Sequence, residues 1–357
     1  MTKIRVAING FGRIGRAFFK LASMREDIQV VAINDLADIE NLAYLLKYDT
    51  TYGRSALDIG VSGGKLMVDG NEIQVFGKKD PSTLPWEKLE IDVVVESTGA
   101  FRKYEDARGH IKAGAKRVVI SAPAKSEPKD ETEKTILVGV NDEELKTCEV
   151  SSNASCTTNA GGSVMQILNE SLGIEKALLN TVHGYTATQS IVDSPNKKDF
   201  RKGRAAAQNI IPSTTGAAIA TSKVITDLED KFDGIALRVP VIVGSIADIT
   251  FISKQDTTVE EVNEILKNAS REDRWRGIFT VTEEPIVSQD IVGNTHAAIV
   301  DLNFTKVVGG NLVKVLSWYD NEIGYTNTLV EHVLRTGKIA NKKSVDGIKK
   351  KEKKDEK

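Results

Sequence analysis

Along the first third of the chain, short apolar runs alternate with stretches whose apolar residues recur every three or four positions. Ile4, Val6 and Ile8 alternate as in a half-buried strand, and Phe11, Ile14, Phe18 and Leu21 then fall on one face of a helix. The run "IQVVAIND" (28–35) is nearly continuous in apolar residues, as expected of a strand covered on both faces. "IDVVVESTG" (91–99), "AKRVVISAP" (115–123) and "KTILVGVN" (134–141) are further buried strands by the same reading, with "YEDARGHIKAGA" (104–115) as a helix between two of them. Repeated strand, helix, strand predicts a doubly wound parallel sheet with crossover helices. The Gly-punctuated, alternating stretch 60–81 predicts a small antiparallel excursion.

From residue 157 the pattern changes. "TTNAGGSVMQILNESLG" (157–173) has helical spacing, and longer strands follow in "EKALLNTVHGYT", "GIALRVPVIVG", "SIADITFIS" and "LVKVLSWYDNE". "TTVEEVNEILKNAS" (257–270) predicts a helix with capping-box spacing at its start, Thr257 with Glu260 or Thr258 with Glu261. The stretch 185–209 has no period and is polar and basic; a loop that long inside a compact domain is usually functional. "IGYTNTLVEHVLRTG" (323–337) predicts a final helix, and the Lys-, Glu- and Asp-rich tail 342–357 predicts disorder. No internal repeat is present.

Composition narrows the function classes. A chain of 357 residues is long for one core and comfortable for two domains. With 40% hydrophobic residues, 27% charged residues and a net charge of −2, nothing favours a nucleic-acid or membrane-surface partner. No apolar run is long enough to span a bilayer, and the start, "MTKIRVAING", lacks signal-peptide architecture. Cys148 and Cys156 are the only cysteines, eight positions apart, which fits neither a disulfide framework nor a common zinc pair. A cytoplasmic location and no metal site are the expectations.

Three features carry chemistry. "NGFGRIG" places Gly10, Gly12 and Gly15 in G-x-G-x-x-G spacing between a strand and a helix, the context in which the motif binds a dinucleotide pyrophosphate. Asp35 closes the next strand, twenty positions after Gly15. A carboxylate there accepts hydrogen bonds from the ribose diol and repels a 2′-phosphate, which favours NAD over NADP. Cys156, in "SSNASCTTNA", sits among small polar residues where a helix begins, so the helix dipole is expected to lower its pKa. Taken alone it is equally an inert thiol in a turn.

Of the four histidines, His110 and His332 fall on helices among charged neighbours and read as surface residues; His296 enters a strand. His183 closes a strand before a Gly turn and, paired with a candidate nucleophile, is a candidate base. NAD, a nucleophilic cysteine and a base together suggest aldehyde oxidation through a thiohemiacetal, leaving a thioester for water or phosphate. Arg201, Arg204 and Arg238 are candidate phosphate ligands, each with an ordinary surface role as the alternative.

Together, "INGFGRIGR", "SNASCTTN", "HGYTATQ", "GRAAAQNIIP", "TTGAA", "RVP" and "VKVLSWYDNE" resemble the phosphorylating glyceraldehyde-3-phosphate dehydrogenase family, over about residues 3–337. The resemblance implies an α/β fold. Its parts are a Rossmann-type NAD-binding domain (1–155), an α+β catalytic domain with a mixed or antiparallel sheet (156–320) containing an S-shaped loop (185–209), and a C-terminal helix (321–341) packing back on the first domain. It implies Cys156 as nucleophile and His183 as base. It also implies cofactor contacts from Arg13, Ile14, Asp35, Ser121 and Asn321, with Lys79 where the family commonly has Arg. Substrate contacts are implied for Ser155, Thr157, Thr186, Arg201, Thr215, Gly216 and Arg238: Thr186 and Arg238 at one phosphate site, Thr157, Thr215 and Gly216 at the site for attacking phosphate. Glyceraldehyde 3-phosphate and inorganic phosphate are the implied substrates, NAD the cofactor, a homotetramer the implied assembly.

Three departures stand out. Ala160 replaces the family's usual second cysteine, "VIVGSIADIT" follows "RVP" where many members have Thr-Pro, and "AKSEPKDETEKT" (124–135) reads as a charged surface insertion. Ser194, Lys197 and Lys198 in the loop pull toward NADP, so the expectation is NAD preference with detectable NADP use. The competing readings are an erythrose-4-phosphate dehydrogenase, which shares the Cys–His pair, and a non-enzymatic NAD-binding protein, which need not keep Cys156, His183, Arg201 and Arg238 together.

Overall fold

Strand β1 (Ile4–Asn9) sends Ile4, Val6 and Ile8 into one apolar layer and Ala7 into another, so the sheet it belongs to is covered on both faces. This is a computed structural model; it describes residues 3–355, with side chains through 342. The chain divides into two compact units. One comprises the chain up to Ile136, Asn141–Ala154 and the chain from Leu329; the other comprises Leu137–Val140 and Ser155–Thr328. The segment 137–140 and residues 321–328 thus belong to the second unit.

In the first unit, β1 leads into α1 (Arg13–Ser23), β2 (Ile28–Asn34) and α2 (Ile39–Lys47). A two-stranded ribbon follows, β3 (Tyr48–Asp49) with β4 (Gly53–Arg54). The expected antiparallel excursion is β5 (Ile59–Ser62), β6 (Lys65–Val68) and β7 (Asn71–Phe76). Its last strand joins the main sheet parallel to β2. Then come β8 (Val93–Glu96), two short helices α3 (Tyr104–Ala107) and α4 (Gly109–Lys112), β9 (Arg117–Ile120), β10 (Glu133–Thr135) and β11 (Val150–Ser152). The sheet order is β10-β11-β9-β8-β1-β2-β7-β6-β5. β1 has β2 on one side and β8 on the other, both parallel to it, so the strand order reverses there. That crevice, at the carboxyl ends of the strands, is where open α/β sheets bind ligands.

The two faces have separate reasons. Phe18, Phe19 and Ala22 of α1 pack with Ile8, Val93 and Val95 on one side. On the other side Trp86, Tyr104, Ala107 and Ile91 cover Ala7, Val94 and Val118. Each large apolar side chain buried this way contributes about 1.5–3 kcal/mol.

The second unit opens with α5 (Cys156–Leu172) and β12 (Ile174–Gly184), then β13 (Ile211–Thr214), α6 (Ala217–Val224), β14 (Phe232–Val239), β15 (Ser245–Ser253), α7 (Val259–Ala269), β16 (Phe279–Thr282), β17 (Ala298–Val308) and β18 (Leu312–Tyr319). The seven-stranded sheet runs β13-β14-β12-β15-β18-β17-β16 and is mixed. β12 pairs parallel with β14 and antiparallel with β15. Val164, Met165 and Leu168 of α5 and Val262 and Leu266 of α7 share a core with Ile249, Phe251, Val313 and Val315 of the sheet. Thr258 caps α7, its Oγ1 accepting from Glu261 N at 3.2 Å, while Thr257 Oγ1 donates to Glu261 at 2.9 Å.

Several expectations change. The strand expected over 134–141 ends at Thr135, because Gly139 adopts φ +87° and Val138 turns into the second unit's core. The charged stretch 124–135 is not purely a surface insertion: it ends in β10, and Glu133 is buried, paired with Arg108 at 2.8 Å. The last helix, α8 (Ile323–Asp355), is longer than expected, so the disorder expected from 342 does not describe the backbone as far as Asp355. Lys and Glu have good intrinsic helix propensity, which lets a polar run continue a helix. The final two positions of that expected tail, 356–357, lie outside the described residues.

Candidate active site

The glycine loop is built as its spacing requires. Gly10 has φ +94°, and a Cβ there would meet Thr98 N at 2.6 Å. A Cβ on Gly15 would lie 2.2 Å from the carbonyl oxygen of Gly10, so both positions need glycine for internal reasons. Gly12 differs: a Cβ there would meet nothing within 4 Å. It is the N-cap of α1 and has no side chain to occupy the first-turn N–H groups. Open space above a bare helix N-terminus suits a pyrophosphate.

Asp35 Oδ2 accepts from Phe11 N at 2.7 Å and Oδ1 from Ala37 N at 2.9 Å. Two backbone bonds hold the carboxylate and leave acceptor capacity for a ribose diol. Arg13 and Ile14 open α1, and Arg13 is exposed and paired with Asp49 at 3.3 Å. Lys79 is exposed, and Ser121 follows β9, its N–H donating to Glu96 O at 2.9 Å. These residues fit an NAD molecule laid across the strand ends.

Beneath the loop lies a polar cluster the sequence did not reveal. Glu96 is buried and accepts from Asn9 Nδ2 at 2.5 Å, from Thr98 N at 2.9 Å and from Thr98 Oγ1 at 2.5 Å, and pairs with His110 Nε2 at 3.1 Å. Trp86 Nε1 donates to His110 Nδ1 at 2.9 Å, so the ring proton sits on Nε2 and points at Glu96. His110 is therefore a core residue, not the surface residue expected. His332 is likewise buried: Ser151 Oγ lies 2.8 Å from its Nε2 and Asn153 Oδ1 3.0 Å from its Nδ1. Charged neighbours on a helix mark its outer face and say nothing of the residue turned toward the sheet.

In the second unit Cys156 is the first residue of α5. Ser155 is the N-cap, its Oγ accepting from Thr158 N at 3.0 Å. His183 is near the end of β12, and the parallel pairing with β14 sets it directly beside Arg238. Cys156 Sγ lies 3.4 Å from His183 Nε2. On the far side of the ring, Nδ1 is 2.6 Å from Gly184 O and 2.6 Å from Arg238 Nη1, which also donates to Gly184 O at 3.1 Å. Tyr319 completes the group. Its hydroxyl bridges Thr157 Oγ1 (2.9 Å) and Thr181 Oγ1 (2.7 Å), and its ring meets His183 edge-on at 5.9 Å.

The electrostatics correct one expectation. Burial pushes the Cys156 thiol up from its ordinary value; Arg238 and hydrogen bonds at the helix start oppose this without reversing it. Burial, then the Arg238 charge, drives His183 down to about 3, against the pull of Gly184 O. Burial thus works against the charged form of both groups, and at Cys156 it outweighs the pull of the helix start.

The remaining candidates are spread over neighbouring elements. Thr186 lies two residues past β12, its Oγ1 2.9 Å from Thr188 Oγ1. Arg201 is exposed on a 3-10 turn and has no ion pair among the described residues, whereas Arg204 is paired with Asp193 at 3.0 Å. Thr215 Oγ1 accepts from Ala217 N at 3.2 Å at the start of α6, and Gly216 is that helix's N-cap, with open space where a Cβ would be. Asn321 Oδ1 accepts from Gly244 N and Ser245 Oγ, each at 3.1 Å, while its Nδ2 has no partner among the described residues. The segment after "RVP" forms a tight turn: Tyr185 N donates to Val241 O at 3.0 Å, and a Cβ on Gly184 would meet that oxygen at 2.9 Å. Ala160 is fully buried in the core.

Among the described residues no helix is long and apolar enough to cross a membrane, and no cluster of His, Cys, Asp or Glu could hold a metal ion. Comparison with known proteins gives a consistent picture. Residues 4–104 match the model of the glyceraldehyde 3-phosphate dehydrogenase NAD-binding domain, and residues 155–321 that of the same family's C-terminal domain. The glyceraldehyde-3-phosphate dehydrogenase of Thermotoga maritima is 50% identical over 330 residues, covering 92% of this chain and 97% of its own. That of Geobacillus stearothermophilus is 48% identical over 330 residues, covering 92% and 96%. That of Clostridium pasteurianum is 48% identical over 345 residues, covering 95% and 100%. With both domain models matched and relatives this similar along nearly their whole length, the chain belongs to the glyceraldehyde-3-phosphate dehydrogenase family.

Proposed function

We propose that this protein oxidises glyceraldehyde 3-phosphate to 1,3-bisphosphoglycerate with NAD and inorganic phosphate. The observation that carries this reading is the 3.4 Å approach of Cys156 Sγ to His183 Nε2 in a chain of this family. Cys156 adds through sulfur to the aldehyde carbon as the carbonyl π bond breaks, and the proton lost from the thiol ends on the carbonyl oxygen, which becomes a hydroxyl. Bound NAD would supply the acceptor for the hydride that leaves that carbon. His183 takes the hydroxyl proton in the same step, leaving a thioester on Cys156. An oxygen of inorganic phosphate then forms a bond to the acyl carbon, the C–S bond breaks, and the sulfur departs as thiolate.

The substrate's phosphate is assigned to Thr186 and Arg238, with Arg201 nearby in sequence on the loop. The attacking phosphate is assigned to Thr157, Thr215 and Gly216, where Gly216 offers an uncapped helix start. Ser155 holds the first turn of α5, and with it the nucleophile. Gly10, Gly12, Arg13, Ile14, Gly15, Asp35, Lys79 and Ser121 are assigned to NAD. Cytoplasmic location suits a working thiol, since both cysteines are free.

A homotetramer is part of the proposal. The 185–209 loop exposes Ile191 (89%), Val192 and Phe200 (85%), and the sheet face turned away from α5 exposes Leu178 and Ile235. Exposed apolar groups of this size on a monomer suit a subunit interface. The test of the activity is NADH formation from glyceraldehyde 3-phosphate with and without inorganic phosphate. Sustained turnover only with phosphate is expected; turnover indifferent to phosphate would assign the thioester to hydrolysis instead.

A further inference from the structure

One unbroken chain of buried side-chain hydrogen bonds runs across the carboxyl ends of the strands in the first unit. Trp86 Nε1 donates to His110 Nδ1 at 2.9 Å, and His110 Nε2 donates to Glu96 Oε2 at 3.1 Å. Asn9 Nδ2 donates to the same oxygen at 2.5 Å. Asn34 Nδ2 donates to Asn9 Oδ1 at 2.7 Å and to Lys78 O at 2.9 Å, and Lys78 N donates back to Asn34 Oδ1 at 2.8 Å. Glu96 closes β8, Asn9 closes β1, Asn34 closes β2, and Lys78 follows β7, so the chain crosses four neighbouring strands in sheet order. Each loop assigned to NAD leaves the sheet beside one of its members: the glycine loop after Asn9, Asp35 after Asn34, Lys79 after Lys78.

Glu96 sets the direction of every bond, because a carboxylate only accepts. Its Oε1 takes Thr98 N at 2.9 Å and Thr98 Oγ1 at 2.5 Å, and its Oε2 takes Asn9 and His110. The 3.3 Å between Asn9 Nδ2 and His110 Nε2 is that of two donors converging on one oxygen. With its NH2 turned to Glu96, Asn9 offers Oδ1 to Asn34. Asn34 must then present NH2 to Asn9 and to Lys78 O, and its oxygen to Lys78 N. The reverse sense sets oxygen against Lys78 O and NH2 against Lys78 N–H. Amide orientation follows from the partners that cannot turn, and here those are backbone groups at both ends, Thr98 N and Lys78. They agree with one polarity only, and it needs an acceptor at position 96.

We propose that Glu96 is a positioning residue for the cofactor: through Asn9 and Asn34 its carboxylate fixes the spacing of the glycine loop, Asp35 and the Lys78–Lys79 segment on which NAD lies. The same carboxylate holds the Thr98 turn, which packs on the glycine loop. A Cβ on Gly10 would meet Thr98 N at 2.6 Å, and Ser97 Oγ donates to Gly10 O at 2.7 Å. The proposal rests on the reading of these loops as the NAD site. Glu96→Gln keeps the shape but turns an NH2 toward the donors of Asn9 and His110. The free protein can relieve that clash by letting the loops shift. NAD binding must bring them back, so the cost falls on cofactor affinity.

The test is calorimetric titration of NAD into the full-length protein. Glu96→Gln should raise the Kd for NAD by about tenfold or more, the equivalent of one buried hydrogen bond to a charged group. An unchanged Kd overturns the proposal. His332→Gln, in a buried polar group of the same unit outside this chain, should lower Tm and leave the Kd alone; an equal rise there would mean a general loss of stability and sink the idea. Glu96 and Asn34 stand on opposite sides of β1, yet Glu96→Gln combined with Asn34→Ser should bind no more weakly than the weaker single variant, because the chain acts as a unit. Fold-changes that multiply would make the two residues independent supports and contradict the proposal. Should Glu96→Gln not fold, His110→Phe, which removes one donor to Glu96, takes its place in the same cycle with the same outcomes. In turnover, Glu96→Gln should raise KM for NAD while kcat holds; a fall in kcat at saturating NAD with KM unmoved contradicts a positioning role. If glyceraldehyde 3-phosphate gave no NADH, the functional reading would fail while the titration still judged Glu96.

Discussion

At the residue scale the two cysteines separate cleanly. Cys148 is buried, and burial pushes its thiol up to about 12. Cys156 is partly accessible and has an imidazole 3.4 Å away. Stoichiometric iodoacetamide should therefore label Cys156 before Cys148, with loss of activity in step; activity lost through Cys148 would remove Cys156 from the mechanism. His183→Asn should slow acylation by roughly 10²–10⁴-fold, the usual range for a lost acid–base group. Cofactor choice is also decided here. Asp35 is pinned by two backbone N–H groups facing the glycine loop. Lys197 and Lys198 are exposed on a loop and Ser194 is engaged with Ser190 at 2.7 Å. A fixed carboxylate outweighs flexible solvated ammonium groups. Titration should show NAD preferred with detectable NADP use, and Asp35→Gly should raise NADP use while weakening NAD. An unmodified enzyme that used NADP more efficiently would put the choice in the loop. Cys156 and His183 were legible because each sits at a local signal, a polar turn into a helix and a strand end at a glycine. Tyr319 and the Glu96–His110 pair were not, because only strand register and helix packing bring their partners to them.

At the scale of elements, α8 is tied to β11 through His332, which Ser151 and Asn153 hold between them. Gly337 lets the same helix lie against β1, since a Cβ there would meet Ile4 Cγ2 at 2.4 Å. Burial, with Arg335 nearby, drives His332 down to about 3. The unfolded chain binds a proton at about pH 6.5 that the folded ring refuses. This contribution to stability is therefore complete above about pH 6.5 and is lost as pH falls from there toward 3. His183 adds to the same window, also being depressed to about 3. Thermal melts between pH 7 and 4 should show Tm falling with acid, and His332→Gln should flatten that fall while costing stability at pH 7. An unchanged slope would mean that the ring is protonated in the fold. The alternation in β1, β2 and β8 was readable because both faces of those strands are apolar. The strand expected over 134–141 was overread, because Leu137–Val140 turn at Gly139 into the other unit, where Val138 joins the core, and an apolar run does not say which core it fills.

At the scale of the whole molecule, the account assigns the exposed apolar loop and sheet face to contacts between copies. Sedimentation should give four times the 38.9 kDa chain mass. Phe200→Asp with Ile191→Asp should lower that mass; an unaltered monomeric mass in the wild type would contradict the assembly. Composition and charge favoured no nucleic-acid or membrane-surface partner and did not reveal assembly, because exposed apolar residues are scattered through the sequence and gather only on the folded surface. The central claim is covalent: the substrate's acyl group passes through Cys156. Its most direct measurement is the intact and peptide mass of the enzyme mixed with glyceraldehyde 3-phosphate and NAD in the absence of phosphate. The account predicts one acyl group per chain, on the peptide containing Cys156, removed when inorganic phosphate is added. A chain that forms NADH without acquiring that mass, or that carries it on Cys148, would contradict it.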